Sequence, residues 1–330
     1  MNSLSALSPK TELAELHVHL GGSVDPAVMW EIAHAQGIKL PTKDYWKFVD
    51  LVTVTPRSKR SFGYYLSLFH LTELIQSSPI AIERSVYQTI AGAYRKNNIT
   101  LLELRFNPMK RNRGGEQDLD HIMMAAVRGI DRASLEYPVK TGIIVCLDRG
   151  FGQRLNEILL EKAVAFSGRG VVGIDMAGPG NKAFHYADYR GIFRRARKAG
   201  LGLTVHAGED EGADSVRLAL EHLEPDRIGH GVRATEDSGT LELLKQRGTV
   251  LEVCPTSNLH TGVVKNTREL RRIFGALKEF GIRYTLNTDG PEMLRTNLRG
   301  EIDFLLRDGA VREEDILRSN SIAFDSSFVK

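Results

Sequence analysis

Short runs of consecutive apolar and β-branched residues alternate along the chain with longer stretches in which apolar positions recur every three to four residues. Eight such runs stand out: AELHVHL (14–20), TLLELRF (100–106), KTGIIVCL (140–147), GVVGIDMAG (170–178), LGLTVHAG (201–208), DRIGHG (226–231), TVLEVCP (249–255) and IRYTLNTDG (282–290). Near-continuous apolar runs mark strands buried on both faces, the habit of parallel sheets covered by helices. Six of the seven intervals hold roughly 20 to 40 residues with one good helical pattern, as in DLDHIMMAAVRGIDRASLE (118–136), RLNEILLEKAVAF (154–166) and TRELRRIFGALKEFG (267–281). Eight strand–helix units predict an α/β chain closed into a (β/α)8 TIM barrel.

The interval after the first strand is the exception. About eighty residues, roughly 21–98, carry several helical patterns, which predicts a helical insertion acting as a lid. Within it, Phe62, Tyr65, Leu66 and Phe69 fall at i, i+3, i+4 and i+7, one apolar helix face. That face either packs on the barrel or covers an apolar ligand. No Pro/Gly linker, low-complexity tract or further repeat divides the chain, so residues 1–330 read as one barrel domain, although 330 residues alone would allow two.

Two patterns mislead. Gly168, Gly170 and Gly173 satisfy G-x-G-x-x-G, but a helical pattern precedes them and a strand runs through them, the reverse of a dinucleotide fingerprint, so they read as a turn entering a strand. The basic stretch DYRGIFRRARKAG spreads its cations around a helix and reads as a solvated face.

Composition narrows the function. With 42% hydrophobic and 26% charged residues the chain is globular, which excludes disorder. Forty-four basic against 41 acidic residues, interleaved, leave +3 and no footprint for nucleic acid. Cys146 and Cys254 are too few for a disulfide framework and lack CxxC spacing, which suits a reducing compartment. MNSLSALSPK lacks a basic segment followed by an apolar run, and no stretch approaches the ~18 apolar residues of a membrane span. The expectation is a cytoplasmic protein with a small-molecule ligand.

Four of the ten histidines lie in or at the end of expected strands. His17 and His19 alternate with Val18 and Leu20, which puts both imidazoles on one face of a strand. His206, His230 and Asp289 end three further strands, at the carboxyl edge where barrel active sites are built. These nitrogen and oxygen donors suit zinc or a similar metal. His34, His70, His121 and His222 sit in helical patterns and read as structural or surface residues; His185 and His260 receive no role. Glu209 lies three residues past His206, in a glycine-containing turn that lets its carboxyl point back into the barrel mouth. Metal-assisted hydrolysis needs a proton acceptor and a proton donor beside the ligands, and His230 and Glu209 are the candidates. Asp289 could both ligate the metal and accept a hydrogen bond from the attacking water. As an acid at neutral pH, Glu209 requires a pKa raised by burial.

These residues resemble the adenosine deaminase family of the amidohydrolase superfamily. The likeness runs through ELHVHLGGS, LELRFNP, GIDMAG, TVHAGE, RIGHG, EVCPTSNLHTG, LNTDG and NSIAFDSSF, nearly the whole chain in order. The resemblance implies a (β/α)8 barrel and one zinc held by His17, His19, His206 and Asp289. It implies hydrolytic removal of the amino group from C6 of a 6-aminopurine nucleoside, with Glu209 donating to N1, His230 orienting the water and the Gly178 backbone meeting N3. It also implies a lid, in which Phe62 and Phe69 would contact the substrate. The P-C-x-x-C pattern of cytidine-deaminase zinc sites is missing.

Two positions depart from the pattern. Gly21 and Gly290 stand where adenosine-specific members carry aspartates that contact the ribose 5′-hydroxyl and purine N7. Gly21 is expected to make room for a bulkier 5′ substituent, so the substrate reads as adenosine or a 5′-modified relative such as methylthioadenosine or aminodeoxyfutalosine. Asn107, or Arg57, Lys59 and Arg60 near the lid, could bind a polar tail. The competing readings are an amidohydrolase acting on an ester or cyclic amide, and a non-catalytic barrel.

Overall fold

A computed structural model describes residues 7–55, 58, 60–113 and 115–330; Arg57 and Lys59 lie outside them. Eight parallel strands follow one another around a single sheet in chain order: β1 (Leu13–His19), β2 (Ile99–Phe106), β3 (Lys140–Asp148), β4 (Val171–Ala177), β5 (Gly202–Ala207), β6 (Arg227–His230), β7 (Val250–Val253) and β8 (Tyr284–Leu286). Helices separate every pair, giving the expected (β/α)8 barrel. The eighth strand stops at Leu286, four residues before its apolar run ends, because its last positions close the barrel by other means. The Asn287 side-chain oxygen accepts from Leu16 N–H at 2.9 Å. His19 N–H then donates to Asp289 O at 2.7 Å and Asp289 N–H to His17 O at 3.0 Å.

Four α-helices fill the interval between β1 and β2: Pro26–Ala35, Tyr45–Val52, Phe62–Ile75 and Pro79–Asn97. Each starts where a short polar side chain, Asp25, Asp44, Ser61 or Ser78, accepts an orphan backbone N–H. On the third, Tyr65 and Leu68 are buried with Val54, Met293 and Leu294 against the segment after β8. Phe62, Leu66 and Phe69 are half-buried and line a cavity at the barrel mouth. One face thus packs on the barrel with part of its width and borders a ligand-sized space with the rest.

The two misleading patterns are structural. Gly170, at φ +102°, ends a short 3-10 turn (Ser167–Arg169) and leads into β4. The basic helix Arg190–Lys198 buries Ile192, Phe193 and Ala196 and exposes Arg194, Arg195, Arg197 and Lys198. Among the described residues no helix is long and apolar enough to cross a membrane.

The lower end of the barrel is sealed by the chain's last segment. A Cβ on Gly202 would lie 2.2 Å from the Phe328 ring, so this glycine is what lets the ring seat under the strands. The Arg227 guanidinium lies 3.6 Å from the ring centroid. The Glu103 carboxylate accepts from Phe328 N–H at 2.6 Å and from the Ser327 hydroxyl at 2.8 Å.

Candidate active site

The carboxyl ends of β1, β5 and β6 and the turn after β8 bring four imidazoles and a carboxylate to one point. His19 Nε2 lies 3.1 Å from His206 Nε2 and 3.5 Å from Asp289 Oδ1, which is 3.9 Å from His17 Nε2. A tetrahedron of ~2.1 Å bonds has edges of about 3.4 Å, so these separations suit four donors around one ion. His17 Nε2 is buried and has no hydrogen-bond partner. Such an orphaned acceptor inside a polar cluster fits a cation-binding role. Three-residue subsets of this constellation, with His230 and Glu209 at its edge, are close enough to hold a metal.

Three of the four donors, His17, His206 and Asp289, are aimed from behind. His17 Nδ1 meets Glu252 Oε2 at 2.7 Å, and His206 Nδ1 meets Asp175 Oδ2 at 2.9 Å, which turns both Nε2 atoms toward the centre. Arg105, fully buried, donates to both carboxylates, at 3.0 Å to Asp175 and 2.8 Å to Glu252. Ser257 donates to Asp289 Oδ2 at 2.6 Å, leaving Oδ1 for the centre. His230 and Asp289 both have left-handed backbone, φ +59° and +67°. Non-glycine residues accept that conformation at a cost, and such strain collects at functional sites.

Burial sets the protonation states. Burial above all, with further repulsion from nearby cationic or imidazole groups, holds His17, His19 and His230 well below the usual histidine range, so they stand neutral. Burial, reinforced by Asp289 and Asp210, holds the Glu209 carboxyl well above the usual carboxylate range. Burial likewise raises Asp289, against its bond from Ser257. Asp175 and Glu252 go the other way. Burial opposes their ionisation, yet His206 and Arg105 hold Asp175 below its ordinary range, and Arg105 and Arg227 bring Glu252 to about 2.

Glu209 reaches the mouth as the turn after β5 anticipates. Gly208 takes φ +65° and its N–H donates to Ser215 Oγ at 2.8 Å, folding the next residue back. Glu209 Oε1 comes to 3.5 Å from His230 Nε2, and the Asn258 amide steadies His230 Nδ1 at 3.0 Å. Above them opens a cavity of about 330 Å³ lined by His19, His206, His230, Glu209, Asp289, Gly178, Asn107, Phe62 and Phe69. Its size falls in the range of small-molecule pockets, about 300–1,000 Å³. His17 lies just beneath it.

Not every expectation about the mouth survives. The place beside Gly21 is not open: a Cβ there would sit 2.8 Å from Phe69 Cδ1 and 3.1 Å from Arg111 Nη2. Beside Gly290 the Tyr65 hydroxyl stands 2.8 Å from where a Cβ would be. Arg60 is exposed and outside the cavity lining. His70, read as structural or surface, is exposed but at the cavity rim. His121 pairs with Glu116 and His222 with Arg190, away from the site. Pattern reading missed Asp175, Glu252, Arg105 and Arg111, and read Tyr65 only as one member of an apolar face. The first three had a signal, a charge inside an otherwise apolar strand.

A parallel eight-stranded barrel with histidines and an aspartate gathered at its carboxyl edge defines a hydrolase of the amidohydrolase superfamily. The adenosine deaminase family model matches residues 9–330. An adenosine deaminase of Clostridium perfringens is 31% identical over 315 residues, 95% of this chain and 93% of the relative. The chain belongs to the adenosine deaminase family. In fold it is similar to the adenine deaminase of Arthrobacter aurescens (TM-score 0.85, 21% identity, 96% of this chain and 94% of that one). It is also similar to a zinc-bound amidohydrolase of Burkholderia ambifaria (TM-score 0.82, 21% identity, 99% and 87%).

Proposed function

We propose that this chain hydrolytically deaminates a 6-aminopurine nucleoside, adenosine or a 5′-modified relative, to the 6-oxopurine and ammonia, using one zinc ion in a cytoplasmic setting. The observation that carries this reading is a buried carboxyl, Glu209, set beside His230 and beside imidazoles whose Nε2 atoms converge with Asp289 on one point. His17, His19, His206 and Asp289 would hold the metal, and the zinc-bound relative in fold supports that choice. When bound, zinc supplies the Lewis acidity that makes a water nucleophilic near neutral pH.

The chain's own groups do the rest. Glu209, kept protonated by burial, donates to purine N1, where negative charge develops as the nucleophile adds to C6. His230, held at Nδ1 by an N–H of the Asn258 amide, orients the attacking water. Gly178 lines the cavity with its carbonyl held by Arg149 at 2.9 Å, and its N–H would donate to purine N3. Phe62 and Phe69 cover the apolar faces of the ligand, and the Asn107 amide nitrogen, buried and without a partner, offers a donor to its polar part. The buried free thiols of Cys146 and Cys254 suit a reducing compartment.

The deciding experiment follows purine absorbance and ammonia release with adenine, adenosine, methylthioadenosine and aminodeoxyfutalosine, alongside metal analysis of the purified protein. Ammonia from at least one nucleoside, with about one equivalent of zinc, is expected. Folded protein without a transition metal, or hydrolysis confined to esters or cyclic amides, would sink the proposal.

A further inference from the structure

The metal set and Glu209 account for the purine end of the ligand and leave the other end unexplained. Beyond His19 the cavity wall runs through Phe69, whose ring centroid is 6.1 Å from that of His19, to Gly21 and Arg111. Where the adenosine-specific pattern has an acidic acceptor, this chain places an aromatic edge and a guanidinium, both within contact of a Cβ on Gly21. The polarity of recognition is inverted at that wall.

Arg111 is 2% exposed, and its Nε has no hydrogen-bond partner. Among the described residues its ion pair is with Glu73, Nη1 to Oε1 at 3.2 Å, and Nη1 has no hydrogen-bond partner either. On the same stretch of chain, Asn107 Oδ1 accepts from Met109 and Lys110 N–H, and Asn107 Nδ2 is left buried and unpartnered. Two buried side chains with spare N–H groups, both lining one cavity, lack the same thing, an acceptor. Lys110 and Arg113 also line this part of the cavity, and Lys110 pairs with Asp148 at 2.5 Å. With Arg105 committed to Asp175 and Glu252, and Glu209 and Asp289 set aside for the purine end, the lining carries three cations against the two carboxylates of Glu73 and Asp148.

The geometry points to a subsite for a terminal anion, a carboxylate or phosphate carried on the 5′ side of the purine nucleoside, bound by Arg111 and Asn107 with Lys110 and Arg113 around it. This rests on the deaminase reading above. The planar guanidinium matches either anion with paired N–H donors. Phe62 and Phe69 supply an apolar passage between ribose and anion. A single unbalanced charge matches a carboxylate more closely than a doubly charged phosphate.

The test compares kcat/KM for adenosine, methylthioadenosine, adenosine 5′-monophosphate and an adenosine carrying a carboxymethylthio group at C5′. The carboxymethylthio compound, or the monophosphate, should exceed the neutral methylthio compound at least tenfold, and the order of the two anions identifies the group bound. Arg111→Met should bring the anion-to-neutral ratio close to one, while Arg111→Lys retains part of it. Because Arg111→Met strips Glu73 of its partner, the pair Arg111→Met/Glu73→Gln removes both charges together and keeps the comparison valid if the single variant misfolds. Equal turnover of charged and neutral compounds, or an anion preference that persists in the double variant, overturns the subsite while leaving the deaminase standing. Failure of all four compounds to release ammonia overturns the deaminase reading and the subsite with it.

Discussion

At the lower end of the barrel Arg227 donates to Glu252 at 2.6 Å and to Glu103, Glu103 also receives Ser327 and Phe328, and Thr204 donates to Glu252 as well. At the upper end His17 Nε2, Tyr65 Oη, Asn107 Nδ2 and Arg111 Nε are equally buried and have no hydrogen-bond partner. Both regions hold charge out of water, where an unpaired polar group costs free energy. Below, Arg227, Glu103 and Glu252 find their partners within the protein, although Thr141 Oγ1 at the start of the third strand does not. Above, it leaves bonds open in one direction, toward the cavity. A buried charge that is fully paired therefore reads as architecture, and one with a spare donor or acceptor reads as half of an interaction whose other half is a ligand.

Substitutions at the two ends should separate activity from stability. The largest effect is expected for Glu209→Gln, which should lower kcat by about 10²–10⁴-fold while leaving the unfolding midpoint close to that of the parent protein. The carboxyl's raised pKa fixes the sign of the pH dependence. Activity is full while Glu209 is protonated and falls as pH rises through its pKa, and a pH-rate profile of the Gln variant should lack that limb. Unchanged turnover would break the comparison at its upper end.

Glu252 joins the two ends, since it orients His17 and meets Arg105 above and receives Arg227 below. Glu252→Gln should cost about 3–5 kcal/mol in a urea titration by leaving buried guanidinium groups undercompensated. It should also weaken metal retention by about 10–100-fold. With its pKa drawn down to about 2, the carboxylate contributes stability that is present above the ordinary glutamate range and lost as pH falls toward 2, a trend the variant should no longer share. A variant as stable as the parent would show that the charged layer is dispensable.

The smallest effect belongs to Phe328→Ala. Losing a half-buried ring stacked on Arg227 should cost about 1–2 kcal/mol, read by thermal unfolding, with kcat unaltered. A drop in kcat at constant stability would mean that the lower seal communicates with the mouth.

The fold was readable because parallel strands buried on both faces announce themselves as apolar runs, and because His17, His19, His206, His230 and Asp289 all fall at strand ends, where the barrel architecture gives position a meaning. The missing pieces depend on contacts no spacing reports. That Phe69 and Arg111 fill the place beside Gly21 follows from how the helix Phe62–Ile75 and the turn after β2 lean on the mouth, two segments joined only in space. A glycine in sequence reads as vacancy; the neighbours that occupy it come from elsewhere in the chain. Tyr65 was legible as one member of an apolar face, but not the direction of its hydroxyl. Asp175 and Glu252 were visible as charges in apolar strands, and their partners became evident only with the strand register.

The seal at the lower end also has a kinetic meaning. Glu103 on the second strand receives its bond from the backbone of a residue 225 positions further along the chain, and Arg227 meets a ring about a hundred positions beyond itself. Contacts of such long sequence separation form only after the loop between their ends has closed, and they slow folding. The charged layer beneath the barrel is therefore made of contacts nearly as non-local as those that close the barrel itself, where Leu16 meets Asn287 across 271 positions.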